Sequence, residues 1–222
     1  MAQVLRSLVG SRLGEPVAAM FSESKVIVDC KGHMLGRLAS CVAKELLNGQ
    51  KVVLVRCEKL NQSGSLYRNF LKWGEFRRKA TNVKHAHGPF HHRAPSKIMQ
   101  RAIRGMIPHK TFKGRCALDR LECFDGVPPK YARKKLKIVP RAQKINCLKP
   151  HRPYCTLGDL STKAGWKYKE LIERLEAKRL ANQAKYWEVK KGYVAKWLDT
   201  KAAAAKKLTK DQQEILTAAG VI

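Results

Sequence analysis

Acidic side chains are scarce in this chain: 17 Asp and Glu stand against 46 Lys and Arg over 222 residues. The shortage is deepest between residues 61 and 150, where four carboxylates (Glu75, Asp119, Glu122 and Asp125) accompany 22 cations. So few carboxylates leave little for acid–base catalysis. Asp119, Glu122 and Asp125 find their simplest use pairing with Arg115 or Arg120, and no Ser/His/Asp or Cys/His order stands out. The seven cysteines include no Cys-x-x-Cys and are odd in number. Free, buried or half-buried thiols in a reducing compartment are expected, rather than a disulfide framework or a zinc site. No apolar run approaches the ~18 residues that span a bilayer. Gly32, Gly36 and Arg37 follow a strand-like run but match neither Gly-x-Gly-x-x-Gly nor Gly-x-x-x-x-Gly-Lys-Ser/Thr. Close packing of strand on helix accounts for these glycines as well as a phosphate loop does.

What is present is positive charge on a chain able to fold. Hydrophobic residues make up 44%, enough for a core, and the net charge is +29 with a pI near 10.2. Residues 61–150 alone hold +18 of that charge, from 22 cations and four carboxylates. A lipid-binding segment would range its cations along one face of an amphipathic helix. Here they crowd into loops, which suits a folded polyanion.

Local pattern predicts an α/β fold. Val26–Cys30 reads as a strand, and apolar residues at 35, 38, 39, 42, 43, 46 and 47 form a helical stripe that Asn48-Gly49 ends. Val52–Val55 is an apolar strand of the kind buried inside a parallel sheet, so the three pieces make a βαβ unit. Helices are expected from Leu66 through Phe76, from Pro95 to Pro108, and over Cys116–Phe124. Apolar pieces between Leu136 and Leu148 could add a strand, and Tyr154–Leu160 reads as a last strand or extended arm. A helix begins at Trp166, loses its periodicity through Lys178–Lys191 and is expected to break at Gly192. Thr209 to Gln212 fits a capping box, with Gly220 as the stop. Residues 1–24 read as an extension. Arg6 and Arg12 among leucines resemble a targeting peptide faintly, but Glu15, Pro16 and Glu23 argue against one.

The chain is organised around residues 84–115. Five of its seven histidines fall there, with Lys and Arg throughout and no Asp or Glu. Such one-signed, Pro- and Gly-punctuated segments with His and aromatic rings call for phosphate-rich RNA. Arg68, Arg77, Arg78, Lys84, Arg93, Lys97, Arg101, Arg104, Lys110, Lys113 and Arg115 are candidates to neutralise phosphates. Arg133, Lys134 and Lys135 extend the set, while His87, His91 and His109 would fit against bases or sugars. A metal site built on His85, His87, His91 and His92 lacks nearby thiolates or carboxylates, and the surrounding cations oppose it. No metal, cofactor, small-molecule substrate or membrane partner is expected.

Several segments carry a resemblance. They are Val28-Asp29 through Gly36-Arg37-Leu38-Ala39, Leu46 through Val52, Tyr67-Arg68-Asn69, Gly88-Pro89-Phe90-His91, Arg93-Ala94-Pro95-Ser96-Lys97 and Arg104 through Thr111. Leu148-Lys149-Pro150 and Gly165-Trp166-Lys167-Tyr168 continue it. Over about residues 25–200 the chain resembles the universal large-subunit ribosomal protein thirteen family, in its eukaryotic cytosolic branch. It departs from the family's pattern in its 24-residue leader, at His92, and at Arg141-Ala142-Gln143. The resemblance implies a mainly parallel central sheet between helices, with long basic loops and a C-terminal helical extension. It implies a non-enzymatic structural role in the large subunit, bound to ribosomal RNA and neighbouring ribosomal proteins, with the motifs at 88–97 and 104–115 facing RNA. The expected division is an N-terminal extension (1–24), an α/β core with RNA-binding loops (25–165) and a basic helical extension (166–222). The expected location is the cytoplasmic ribosome after passage through the nucleolus during assembly. The competing expectation is an extra-ribosomal RNA-binding regulator of translation.

Overall fold

A computed structural model describes residues 24–209 together with residues 212, 215 and 216. The expectations for residues 1–23 and for a stop at Gly220 lie outside the described residues.

Three short strands form a parallel sheet: β1 (Val26–Asp29), β2 (Val52–Val55) and β4 (Leu121–Cys123), with β2 in the middle. Val26 pairs with Val52 and Val52 with Leu121, and all four β2 residues are buried. A strand hydrogen-bonded on both sides and covered on both faces has no position for a polar side chain, which is why Val-Val-Leu-Val occupies it. Between β1 and β2 runs α1 (Leu35–Asn48), which buries Leu38, Ala39, Val42, Ala43 and Leu46 along the stripe the spacing predicts. Gly49 closes the helix in the left-handed region (φ 110°), and Arg120 adds a second cap by donating from Nη2 to Leu46 O at 2.9 Å.

The two faces of the sheet are covered differently. Val28, Val52, Leu54 and Leu121 pack with α1 and with Met99 and Ile103 of α3 (Pro95–Met106). Ile27, Val53 and Val55 instead pack under Tyr131, Phe124, Val127 and Leu136, which among the described residues form a layer without an α-helix. The chain returns from that layer along the free edge of β1, where Lys137 donates to Ile27 O and accepts from Asp29 N. The extra strand expected after Leu136 is therefore a single bridge at Lys137, and the one-turn helix α5 (Lys144–Cys147) follows it.

A two-stranded antiparallel sheet, β3 (Asn61–Ser63) with β5 (Tyr154–Thr156), joins α2 (Leu66–Arg78) to the core. Buried Asn69 is the clamp. Its Nδ2 donates to Ser63 O, Gly64 O and Cys155 Sγ, each at 3.1 Å, while its Oδ1 accepts from Gln62. His33 is fully buried and uses both ring nitrogens: Nε2 accepts from Val139 N at 3.1 Å, so Nδ1 carries the proton and donates to Lys31 O.

Several expectations need correction. The helix expected over Cys116–Phe124 is two elements: α4 (Phe112–Asp119), capped by Thr111 Oγ1 accepting from Gly114 N, and then β4. Pairing with β2 overrides the helical tendency of Leu121–Phe124. Only Tyr154–Thr156 of the expected last strand is extended. Thr156 then caps α6 (Leu157–Lys163), accepting from Asp159 N while its own hydroxyl donates to Asp159 Oδ2. Glu122 pairs with Lys25 and accepts from Tyr131 Oη, and Asp125 bonds to Ser96, so neither uses Arg115 or Arg120. Gly32 serves a left-handed turn (φ 76°), and a Cβ on Gly36 would meet nothing within 4 Å, so close packing explains neither glycine.

Contacts divide the chain into two units, one ending at Glu173 and one beginning at Arg174. The helix α7 (Lys169–Ala205) does not break at Gly192. Glycine costs a helix about 1 kcal/mol, too little to end one this long among good helix formers. In the second unit Glu176 is buried and pairs with Arg179 at 2.6 Å. Tyr186, Tyr193 and Trp197 lie at i, i+7 and i+11 and are all exposed, flanked by Val194 and Leu198. Thr209 N donates to Gln212 Oε1 at 3.2 Å, as the capping box requires.

All the described cysteines are free, with Cys30, Cys57 and Cys155 buried. Burial raises the Cys155 thiol, and hydrogen bonding to the Cys57 thiol, backed by burial, pushes Cys123 well up. These are inert interior groups rather than nucleophiles.

Candidate nucleic-acid interface

Three helices in the first unit hold the basic loop. The apolar residues Leu66, Phe70 and Trp73 of α2 pack on the core, so Arg68, Arg77 and Arg78 project into solvent. The last two also sit in the final turn of α2, where a cation opposes the negative end of the helix dipole. Helix α3 buries Met99 and Ile103 and turns Lys97, Arg101 and Arg104 outward. Its first turn is capped from a distance: Asp125 accepts from Ser96 N and Ser96 Oγ, both at 2.8 Å. Burial raises the Asp125 carboxyl above its ordinary value, and the Ser96 bonds pull it back. Helix α4 lies so close behind Pro108 that a Cβ on Gly114 would stand 2.0 Å from Pro108 O. Lys110, Lys113 and Arg115, on either side of that close approach, are all exposed.

The loop between α2 and α3 is pinned by rings. Phe76 meets His91 edge-on with centroids 4.5 Å apart, and the Arg101 guanidinium lies over the same Phe76 ring at 4.2 Å. Arg101 Nη1 also donates to Phe90 O at 3.0 Å. Arg93 Nε donates to Ala164 O at 3.0 Å, which caps α6 and ties the loop to it. His91, Arg93 and Arg101 therefore hold the loop in place as well as belonging to the candidate surface.

The remaining candidates are freer. Arg68, Arg77, Arg78, Lys84, Lys97, Arg104, Lys110, Lys113, Arg115, Arg133, Lys134 and Lys135 are all exposed. Among the described residues none of them has a carboxylate partner within ion-pair distance. Two of the four carboxylates between residues 61 and 150 are used elsewhere, Glu122 by Lys25 and Asp125 by Ser96. A surface of this kind repels itself unless an external anion covers it.

The structure gathers His87, Lys97, Arg101, Arg104 and His109 around one open cavity of about 730 Å³, walled also by Phe90 and His92. It does not bring Arg133, Lys134 and Lys135 there. They follow Tyr131, whose ring packs on the other face of the sheet. Sequence reading misses the cap from Asp125 and the Phe76 contacts. No local pattern signals a cap offered from 29 residues away, whereas the aromatic content of α2 is visible. Among the described residues no cluster of three His, Cys, Asp or Glu side chains could hold a metal ion.

Residues 23–130 match the family model described as ribosomal protein L13. The chain is 52% identical over 165 residues to the large ribosomal subunit protein uL13 of Spodoptera frugiperda, covering 74% of this chain and 81% of that one. It is 49% identical over 168 residues to the large ribosomal subunit protein uL13 of Dictyostelium discoideum, covering 76% and 90%. With its parallel sheet, its basic loop and this degree of identity over most of both chains, the chain belongs to the ribosomal protein L13 family.

Proposed function

We propose that this protein is a structural, non-catalytic constituent of the large subunit of the cytosolic ribosome, where its central loop clamps folded ribosomal RNA. The supporting observation is the set of exposed cations on α2, α3, α4 and the segment between α2 and α3, none with a carboxylate partner among the described residues. Family membership supplies the setting. Phosphate contacts position a protein without reading sequence, so recognition rests on RNA shape.

The α/β core at 25–165 carries this RNA surface, and the basic helical extension at 166–222 reaches a second partner. Tyr186, Tyr193 and Trp197, with Lys190 and Lys201 interleaved, suit the apolar, acid-rimmed groove of a neighbouring ribosomal protein. Assembly into the subunit takes the protein through the nucleolus before it works in the cytoplasm.

Sucrose-gradient sedimentation of cell extract in high salt tests this reading. The protein is expected to stay with large subunits after the salt wash. Migration as a free protein would point to the extra-ribosomal regulator instead.

A further inference from the structure

We propose that the cavity beside α3 seats one unstacked nucleotide of the bound RNA. This rests on the RNA-binding reading above and adds to it a defined pocket with a defined occupant.

At about 730 Å³ the cavity falls within the size of sites that enclose a small molecule. One wall is aromatic and wet. Phe90 is 70% exposed, and its ring lies near-parallel to that of His92, at 25° with centroids 6.4 Å apart. The fold gains nothing from leaving that ring in water, whereas an unpaired base has a π-face to lay on it. The lining also carries polar groups. Lys97 and Arg104 are placed to meet the flanking phosphates, and Gln100 is placed to meet a base edge. Gln100 Oε1 accepts from Lys97 Nζ at 3.3 Å, which leaves its amide hydrogens for a base acceptor.

Gly105 points the same way. It lies in the last turn of α3 and lines the cavity, where alanine would make the better helix. A Cβ there would meet nothing within 4 Å, in contrast to Gly114. No neighbour inside the fold requires a glycine at 105, and the open space beside it leaves room for a nucleotide to approach the helix backbone. The occupant is part of a polymer rather than a free nucleotide, because the unpaired cations continue past the cavity along Lys110, Lys113 and Arg115.

The test uses the purified full chain and two RNA hairpins with the same stem, one fully paired and one with a single bulged 2-aminopurine. Fluorescence anisotropy is expected to show the bulged hairpin bound at least about fivefold tighter, the ratio that one base–aromatic stack supplies. The 2-aminopurine emission should fall on binding. Phe90→Ala, which truncates an exposed ring, and Gly105→Leu, which fills the cavity, should each bring the affinity ratio to about one. Equal affinities for the unaltered protein, or a ratio that survives Phe90→Ala, would overturn the pocket while leaving the RNA-binding reading intact. Failure to bind either hairpin would overturn both.

Discussion

The Asp125 carboxylate caps α3 from 29 residues away, taking both the backbone N–H and the hydroxyl of Ser96 at 2.8 Å. A carboxylate thereby sits beside the cationic face of α3, and charge counting and structure predict opposite effects of removing it. If only net charge mattered, Asp125→Ala would tighten RNA binding. The cap predicts the reverse: about 0.5–2 kcal/mol of lost stability, and weaker binding as the Lys97 and Arg104 turns loosen. Thermal melts with filter binding decide the sign.

Cations that hold the loop should separate from cations that only face outward. Lys97→Ala with Lys110→Ala and Lys113→Ala should leave the melting temperature within about 2 °C. The same triple variant should reduce the salt slope of RNA binding by about 0.9 for each phosphate it no longer neutralises. Arg93→Ala should lower stability, because Arg93 Nε caps Ala164 O. The pair Arg93→Ala and Lys97→Ala should impair incorporation into subunits. Unchanged incorporation would show that the central loop does not face RNA.

Two carboxylates predict an unusual pH response. Burial raises the Glu58 carboxyl above its ordinary value of 4.5, and the nearby Asp125, itself raised by burial, adds to the effect. An acid whose folded-state value is raised contributes stability that is complete below the ordinary range and lost as pH rises through the folded value. Stability from this pair therefore grows as pH falls through the raised folded-state values towards the ordinary carboxylate range. Glu58→Gln keeps an acceptor for Gly126 N, which donates to Glu58 Oε2 at 2.8 Å. It should hold or raise the melting temperature at pH 7 and flatten the rise on acidification. A lower melting temperature at pH 7 with the rise intact would contradict this.

Asn69 should behave as a structural residue although it stands beside the exposed Arg68. The two amide hydrogens on its Nδ2 serve three interior acceptors and its Oδ1 accepts once, so Asn69→Ala should cost about 1–3 kcal/mol in urea unfolding. Arg68→Ala should cost nothing measurable there and show only in RNA affinity.

Periodicity makes some elements legible in advance. The α1 stripe and the Val-Val-Leu-Val strand are set by local spacing, and the structure buries them as that spacing requires. Leu121–Cys123 is not legible, because its strand state comes from pairing with Val52 on a distant segment. The Thr156-x-x-Asp159 cap is present in the sequence, but the extended run from Tyr154 leads straight into it and hides a seven-residue helix. At the candidate interface the charges can be named from composition alone. Which of them the fold consumes cannot, because His91 and Arg101 meet on a Phe76 ring that belongs to a different helix.

The most direct measurement is ultraviolet crosslinking of the protein to RNA within purified large subunits, followed by mapping of the crosslinked peptides. Crosslinks should concentrate in residues 84–115, with Phe90 and the turn around Lys110 among the strongest. Intact large subunits that contain the protein but yield crosslinks only outside that segment would show that its positive charge serves something other than RNA.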